Sequence, residues 1–507
     1  MSPRKKTKIS AITLSRQIAR GELSVREVVA QALGKINDDK HNAWITVAAD
    51  QALKQADAVQ ERLRQGDHSL SMLAGLPLAV KDNISTAEIR TTCASRMLAD
   101  YTPVFDATVI RKMKKAGLIV IGKTNMDEFA MGSTNETSWF GPVRNPWNPD
   151  FVPGGSSGGS AAAVSSGQVQ LALGTDTGGS LRQPCTWCGL TGLRPTYGTV
   201  SRYGLVAYAS SLDQIGPMAH DARDCAALFD LLRGPDKRDA TMSTVAHEKK
   251  SVKTTFTQLA AGDFRGLKIG MPENDQTEPL DDDVKCAVLQ VGRTMTKMGA
   301  QLGSYRVNLL EEAVAAYYLI ASAEASSNLA RYDGIRYGFR EEATEPSSAE
   351  EDLYTRTRTK GFGMEVQRRI LLGTFALSEG YYADWYLKAQ QVRQQVKSHL
   401  LRIFNTFDFL IMPVTPTAAF RLGSSLQDPF ALYRSDRYTI PASLAGLPAV
   451  SLPCGFNSQG LPVGVQLIGQ RFSDPMLLQV AQGYQEVTSF HQETANTDLN
   501  HGEQHDV

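Results

Sequence analysis

Four short apolar runs limit what this chain can fold into. They are GLPLAVKDN (75–83), AGLIVIGKTN (116–125), VQLALGTDTGG (169–179) and GLKIGMP (266–272), and each stops at a glycine or a polar turn. Stretches with helical spacing, such as DATVIRKMKKAG and SAAAVSSG, lie between them. Short runs that are apolar throughout fit strands buried on both faces, and their alternation with helices predicts an α/β protein built on a largely buried sheet.

The flanking regions read differently. Residues 8–66 read as helices: Ser24 precedes Glu27 by three positions, a capping-box pattern, and AADQALKQADAVQERLRQG ends at Gly66. From 310 to 405 the chain is mostly helical, in EEAVAAYYLIASAEASSNLARY and YADWYLKAQQVRQQVKSHLLRIF. Strand-like runs return over 406–490 with FDFLIMPVTP, LPAVSLPCGF and PVGVQLIGQ, and 491–507 reads as a polar, frayed tail. No repeat or low-complexity linker separates the halves, so a single domain over 1–507, with its catalytic core at 67–270, is expected.

Lys plus Arg and Asp plus Glu both number 53, so no net field draws the chain to nucleic acid or an anionic membrane. No apolar run approaches the length of a spanning helix. The basic start MSPRKKTKIS is followed by no apolar stretch and reads as a solvated tail, not a targeting segment. Six cysteines in so long a chain read as reduced, buried thiols of a cytoplasmic protein. Cys185 and Cys188 form a C-x-x-C with no second pair of zinc spacing, and no metal site is expected.

Two motif matches fail on context. Gly117 to Thr124 fits the phosphate-loop pattern, but Leu118 to Ile121 between its glycines read as a buried strand, leaving no loop for a phosphate. GGSSG around Ser156 fits a nucleophile elbow, yet RNPWNPDFVP before it holds three prolines and cannot be the required strand. The histidines His220, His247, His399, His491, His501 and His505 offer no convincing triad partner. What stands is a constellation. Lys81 and the segment Asp176–Ser180 each follow a strand end, with the Gly/Ser loop of Ser156 between them. A lysine desolvated at a strand mouth can act as a base. The N–H groups of Thr177, Gly178 and Gly179 can face an oxyanion. These residues point to a Ser–Lys hydrolase without histidine.

AVKDN, PGGSSGGSAAAV and LGTDTGGSLRQP together resemble the signature of the amidase signature family. That resemblance implies a large twisted mixed β-sheet covered by α-helices on both faces. It implies Ser180 as nucleophile, Ser156 as a bridging serine after a cis Gly155–Ser156 peptide, and Lys81 as the base. Thr175, Asp176 and Arg182 would then support the nucleophile loop. Blocks outside the signature, SAEASSNLARYDGIRYG and RRILLGTFALSEGYY, resemble the glutaminase (A) subunits of glutamine-dependent aspartyl/glutamyl-tRNA amidotransferases. By that likeness Tyr317 (or its neighbour Tyr318), Arg369 and Asp436 would bind glutamine, an arginine suiting the α-carboxylate and an aspartate the α-amino group. The same likeness implies B and C subunits in a heterotrimer. ATP, Mg²⁺ and most of the tRNA contact would belong to the B subunit, with no cofactor in this chain. The competing readings are a free-standing amidase of small amides, a catalytically dead scaffold and a C-x-x-C redox protein. QPCTWCG departs from the family, which usually has small or apolar residues where Cys185 and Trp187 stand.

Overall fold

The computed structural model describes residues 9–244, 261–273, 280–341, 352–424, 433 and 435–495. Residues 1–8 of the basic tail, the polar tail beyond 495, and His247, His501 and His505 lie outside these described residues.

Eleven strands form one mixed sheet: β1 (Trp44–Val47), β2 (Pro77–Lys81), β3 (Ile119–Thr124), β4 (Leu171–Asp176), β5 (Thr191–Arg194), β6 (Gln214–Ala219), β7 (Lys268–Pro272), β8 (Gln301–Tyr305), β9 (Phe409–Pro413), β10 (Ala449–Phe456) and β11 (Pro462–Gly469). Their order across the sheet is β1-β3-β2-β4-β6-β5-β10-β11-β9-β7-β8, so strands from both halves of the chain share it. Parallel pairs flank β2 (with β3 and β4) and β7 (with β8 and β9), while the strands between these groups run antiparallel. All four apolar runs became strands, and β2, β3, β4 and β9 are buried at every position. That is the pattern of strands covered on both faces.

The N-terminal helices form as read. Ser24 Oγ accepts from the N–H of Glu27, and Glu27 Oε2 accepts from the N–H of Ser24 at 2.8 Å, which closes the capping box of helix Val25–Asn37. Residues 8–66 are not wholly helical, however, because β1 lies within them and pairs with β3. Strands β1, β5, β6 and β8 escaped the sequence reading. β1 and β5 have four residues each, β6 (QIGPMA) contains Pro217, and β8 lies at the sheet edge with polar and glycine positions. None of the four shows an unbroken apolar run. Among the described residues no helix is long and apolar enough to cross a membrane.

Two apolar clusters cover the sheet. One joins the N-terminal helices, Gly158–Ser165, Ala222–Leu232, Asp282–Lys297 and Asp474–Glu486 to the strands. The other packs Leu310–Asn328 and Lys388–Ile403 with Met97, Phe129 and the segment 438–447. Helix Met364–Leu377 lies directly on Leu310–Asn328. At Gly373 the approach is so close that a Cβ would stand 1.9 Å from the carbonyl oxygen of Ser322. Backbone cannot yield to such a contact without the helices separating. Gly373→Ala is therefore expected to destabilise the chain by about 1–3 kcal/mol, as overpacking does. A fall in thermal unfolding midpoint against wild type would register it, and an unchanged midpoint would refute this packing.

Candidate active site

Strands β2 and β4 are parallel neighbours, so Lys81 at the end of one and Thr175 and Asp176 at the end of the other emerge side by side. Lys81 Nζ donates to Ser156 Oγ at 2.7 Å, Thr175 Oγ1 at 2.8 Å and Ser157 Oγ at 2.9 Å. Lys81, Ser156 and Ser157 are fully buried. Burial lowers the Lys81 pKa to about 7, against the opposing pull of the carboxylates of Asp127, Asp213 and Asp176. The Gly155–Ser156 peptide is cis. Gly155 admits no side chain, because a Cβ there would lie 2.0 Å from Asp127 Oδ2.

Ser157, which the sequence reading passed over, organises the site as much as Ser156 does. Its N–H donates to the carbonyl of Ser180 at 3.0 Å, and its hydroxyl donates to the carbonyl of Thr175 at 3.1 Å. Having given its proton to Thr175, Ser157 can only accept from Lys81. Thr175 Oγ1 likewise accepts from Asn83 as well as from Lys81. Ser156 Oγ makes the shortest of the three contacts with the amine.

Ser180, 8% exposed, is the member of the Lys81, Ser156 and Ser180 trio that reaches the surface of the site. Among the described residues, the N–H groups of Gly178, Gly179 and Ser180 make no hydrogen bond, which leaves them available to a developing oxyanion. The loop is fixed from behind instead. Thr439 Oγ1 donates to the carbonyl of Gly178, and the N–H of Gln183 donates to that of Gly179 at 2.8 Å. Gly179, at φ +140°, occupies backbone space that a side chain rarely adopts. Thr177 Oγ1 donates to Asp213 Oδ1 at 2.7 Å.

Beneath this loop Asp176 is clamped by two guanidiniums. Arg182 Nε and Nη2 lie 2.9 and 3.0 Å from its two oxygens, and Arg194 Nη1 lies 2.8 Å from Oδ1. All three side chains are fully buried. Burial alone would push the carboxyl up, but Arg182 and Arg194 outweigh it and hold the pKa well below the usual range.

The second group of expected residues converges around Tyr318. Its hydroxyl donates to Asp436 Oδ2 at 2.8 Å, and the guanidinium of Arg369 lies 5.0 Å from its ring centre. Ser133 Oγ also donates to Asp436 Oδ2, at 2.9 Å, and burial raises the Asp436 pKa to about 6. Tyr317 points elsewhere. Its ring lies against Gly178, where a Cβ would come within 2.5 Å of Tyr317 Cζ. One tyrosine thus joins the anion to the cation while the other touches the loop that carries Ser180.

Asp127, Asp213, Ser133 and Ser157 belong to the site and were not singled out from sequence. Asp127 accepts from Asn135 N at 3.0 Å and Thr137 Oγ1 at 2.9 Å, and burial raises its pKa to about 6. Isolated acidic residues in loops carry no periodic signal. Only Ser157, inside the quoted GGSSGG, stood where a closer reading could have found it. Cys185 and Cys188 are free and fully buried, and burial pushes both thiols up, away from the reactive thiolate. The cysteines are not all buried, though, since Cys286 is exposed. Among the described residues no cluster of three or more His, Cys, Asp or Glu side chains converges as metal ligands would.

The family profile described as amidase matches residues 27–478. The chain belongs to the amidase family. A protein of Symbiobacterium thermophilum, named as the A subunit of glutamyl-tRNA(Gln) amidotransferase, is 49% identical over 96% of this chain and 98% of its own length. The crystal structure of the protein of that name from Thermotoga maritima superposes with a TM-score of 0.76 at 39% identity, covering 95% of each chain. A bacterial aryl acylamidase of the amidase signature family superposes with a TM-score of 0.82 at 25% identity, covering 97% of this chain and 99% of its own.

Two measurements test this site. If Lys81 is the base, kcat/KM for an amide substrate should rise with pH and level off above about 7, because a lysine lowered to about 7 is neutral only above that pH. An activity flat from pH 5 to 9 would remove Lys81 from the role. Asp176→Asn strands two buried guanidiniums, and a loss of about 3–5 kcal/mol is expected. Denaturant titration reads it directly, and a loss under 1 kcal/mol would mean that Arg182 and Arg194 find other partners.

Proposed function

We propose that the chain is the glutamine-hydrolysing subunit of a glutamyl/aspartyl-tRNA amidotransferase. The observation that carries this reading is the pairing of a Lys81–Ser156 relay with a buried cation and anion, Arg369 and Asp436, bridged by Tyr318. Glutamine carries an α-carboxylate and an α-ammonium a few ångströms apart, and its side-chain amide would extend toward Ser180. Support also comes from the sequence identity to proteins named as the A subunit of such an amidotransferase, 49% and 39% against 25% for the aryl acylamidase.

The chemistry needs no histidine. Ser180 Oγ attacks the side-chain amide carbon, its proton passing to Ser156 as Ser156 passes its own to neutral Lys81. The oxygen of the tetrahedral species takes the N–H groups of Gly178, Gly179 and Ser180, with Thr177 holding the loop through Asp213. Lys81 returns the proton through Ser156 to the nitrogen, the carbon–nitrogen bond breaks, and ammonia leaves a glutamyl ester on Ser180. Water then adds to the ester by the same relay and releases glutamate. Ammonia would pass to a B subunit that binds ATP, Mg²⁺ and the misacylated tRNA, within a cytoplasmic heterotrimer completed by a C subunit.

Ammonia release from glutamine, measured for the chain alone and with the partner subunits, tests the reading. Activity should rise with partners, fall more than about a thousandfold in Ser180→Ala and persist in Cys188→Ala. Equal activity without partners, and preference for simple aliphatic amides, would instead identify a free-standing amidase.

A further inference from the structure

Arg369 is held on two sides before any substrate arrives. On helix Met364–Leu377 its Nε donates to Glu365 Oε1 at 2.8 Å, one turn back. Its Nη1 donates to the hydroxyl of Tyr208, a fully enclosed tyrosine in the connection between β5 and β6. A guanidinium has five N–H donors in a fixed plane. Among the described residues Nη2 makes no hydrogen bond, so one edge of the fork stays available. Rotation about that edge is blocked by the two bonds and by the rings of Tyr318 and Tyr208, whose centres lie 5.0 and 5.6 Å from the guanidinium carbon.

Tyr208 is itself tied to the catalytic loop. Its N–H donates to Asp213 Oδ2 at 2.9 Å, and the other oxygen of Asp213 accepts from Thr177. Its carbonyl accepts from Asn328 Nδ2 at 3.1 Å, at the end of the helix that carries Tyr317 and Tyr318. A single residue therefore contacts the arginine, the oxyanion loop through one carboxylate, and the tyrosine helix.

We propose that Tyr208 is a positioning residue for the glutamine site: it fixes the Arg369 guanidinium so that the edge at Nη2 meets the substrate α-carboxylate at a set distance from Ser180. The proposal rests on the glutaminase reading above. The chemistry of the acceptor matters here. Glu365 already places one negative charge against Arg369. That pair is already balanced, so a second carboxylate at Nη1 would make it net negative and repel an anionic substrate. A phenol accepts the hydrogen bond without a charge, and burial pushes Tyr208 up to about 12, so it remains neutral at working pH.

The test compares glutamine with 4-aminobutanamide, which is glutamine without its α-carboxylate. Steady-state kinetics would be measured on the full chain, alone and with partner subunits, for wild type and Tyr208→Phe. 4-Aminobutanamide would also be measured as a competitive inhibitor, and unfolding midpoints recorded for both proteins. Tyr208→Phe keeps the ring and removes the acceptor. The expected result is a rise of about tenfold in KM for glutamine with kcat within about twofold. The KM or Ki of 4-aminobutanamide should stay unchanged, which would also show an intact fold. An equal loss on both compounds, or a fall in kcat alone, would mean that Tyr208 is merely structural, and no change for glutamine would overturn the proposal as well. A wild-type enzyme that does not distinguish the two compounds would overturn both this proposal and the glutaminase reading. Failure in the variant alone leaves that reading intact.

Discussion

Everything at this site depends on burying the amine of Lys81 among hydroxyls and not beside a carboxylate. Desolvation removes the preference for the charged form, and the three oxygens within 2.9 Å satisfy the amine without fixing its charge. A carboxylate at the same distance would hold Lys81 as a cation, whereas the proposed relay needs it neutral. The sheet favours the arrangement, since β2 and β4 are parallel neighbours and Lys81, at the end of β2, comes beside the last residues of β4.

The acidic residues are kept to other tasks by the same logic. Asp127 and Asp213 both act on Lys81 through space, yet their oxygens are occupied by nearby N–H and hydroxyl donors. They counter part of the desolvation without touching the amine, and the balance leaves Lys81 near neutrality. Asp176 belongs to the same acidic set but differs in chemistry. Two guanidiniums keep it ionised, so it is a fixed anchor beneath the loop that carries Ser180.

Much of this was legible in the sequence, and the reasons differ by element. β2, β3 and β4 were visible because strands buried on both faces are apolar along their length, whereas β7 showed as a short apolar run although only Ile269 and Gly270 are buried. β6 was not, because Pro217 reads as a strand breaker even though it sits in register opposite Leu173. Lys81, Ser156 and Ser180 were visible because each sits at a strand end or in a glycine-rich loop. Asp213 and Tyr208 were not, since their contacts with Thr177 and Arg369 exist only after distant segments meet. The Tyr317–Tyr318 ambiguity is of the same kind. On a helix, adjacent residues point about 100° apart, and only the packing of that helix decides which ring reaches Asp436 and which reaches Gly178.

That packing also sets the proposed relay apart from the proposed binding residues. The relay rests on the sheet and on helix Gly158–Ser165, inside one apolar cluster, whereas Tyr318 belongs to the other cluster and Arg369 to the helix packed on it. The two share strands of the sheet, and contacts between them at the site include Tyr317 against Gly178, Thr439 on the Gly178 carbonyl, Ser443 on Arg182, and the path from Arg369 through Tyr208 and Asp213 to Thr177. Each of these contacts fixes distance and orientation without supplying a reacting group. Substitutions on the helical side can therefore reshape what is bound while the geometry of Lys81, Ser156 and Ser180 stays in place. The likeness in fold to a bacterial aryl acylamidase at 25% identity fits such a division, since one fold can carry different sites.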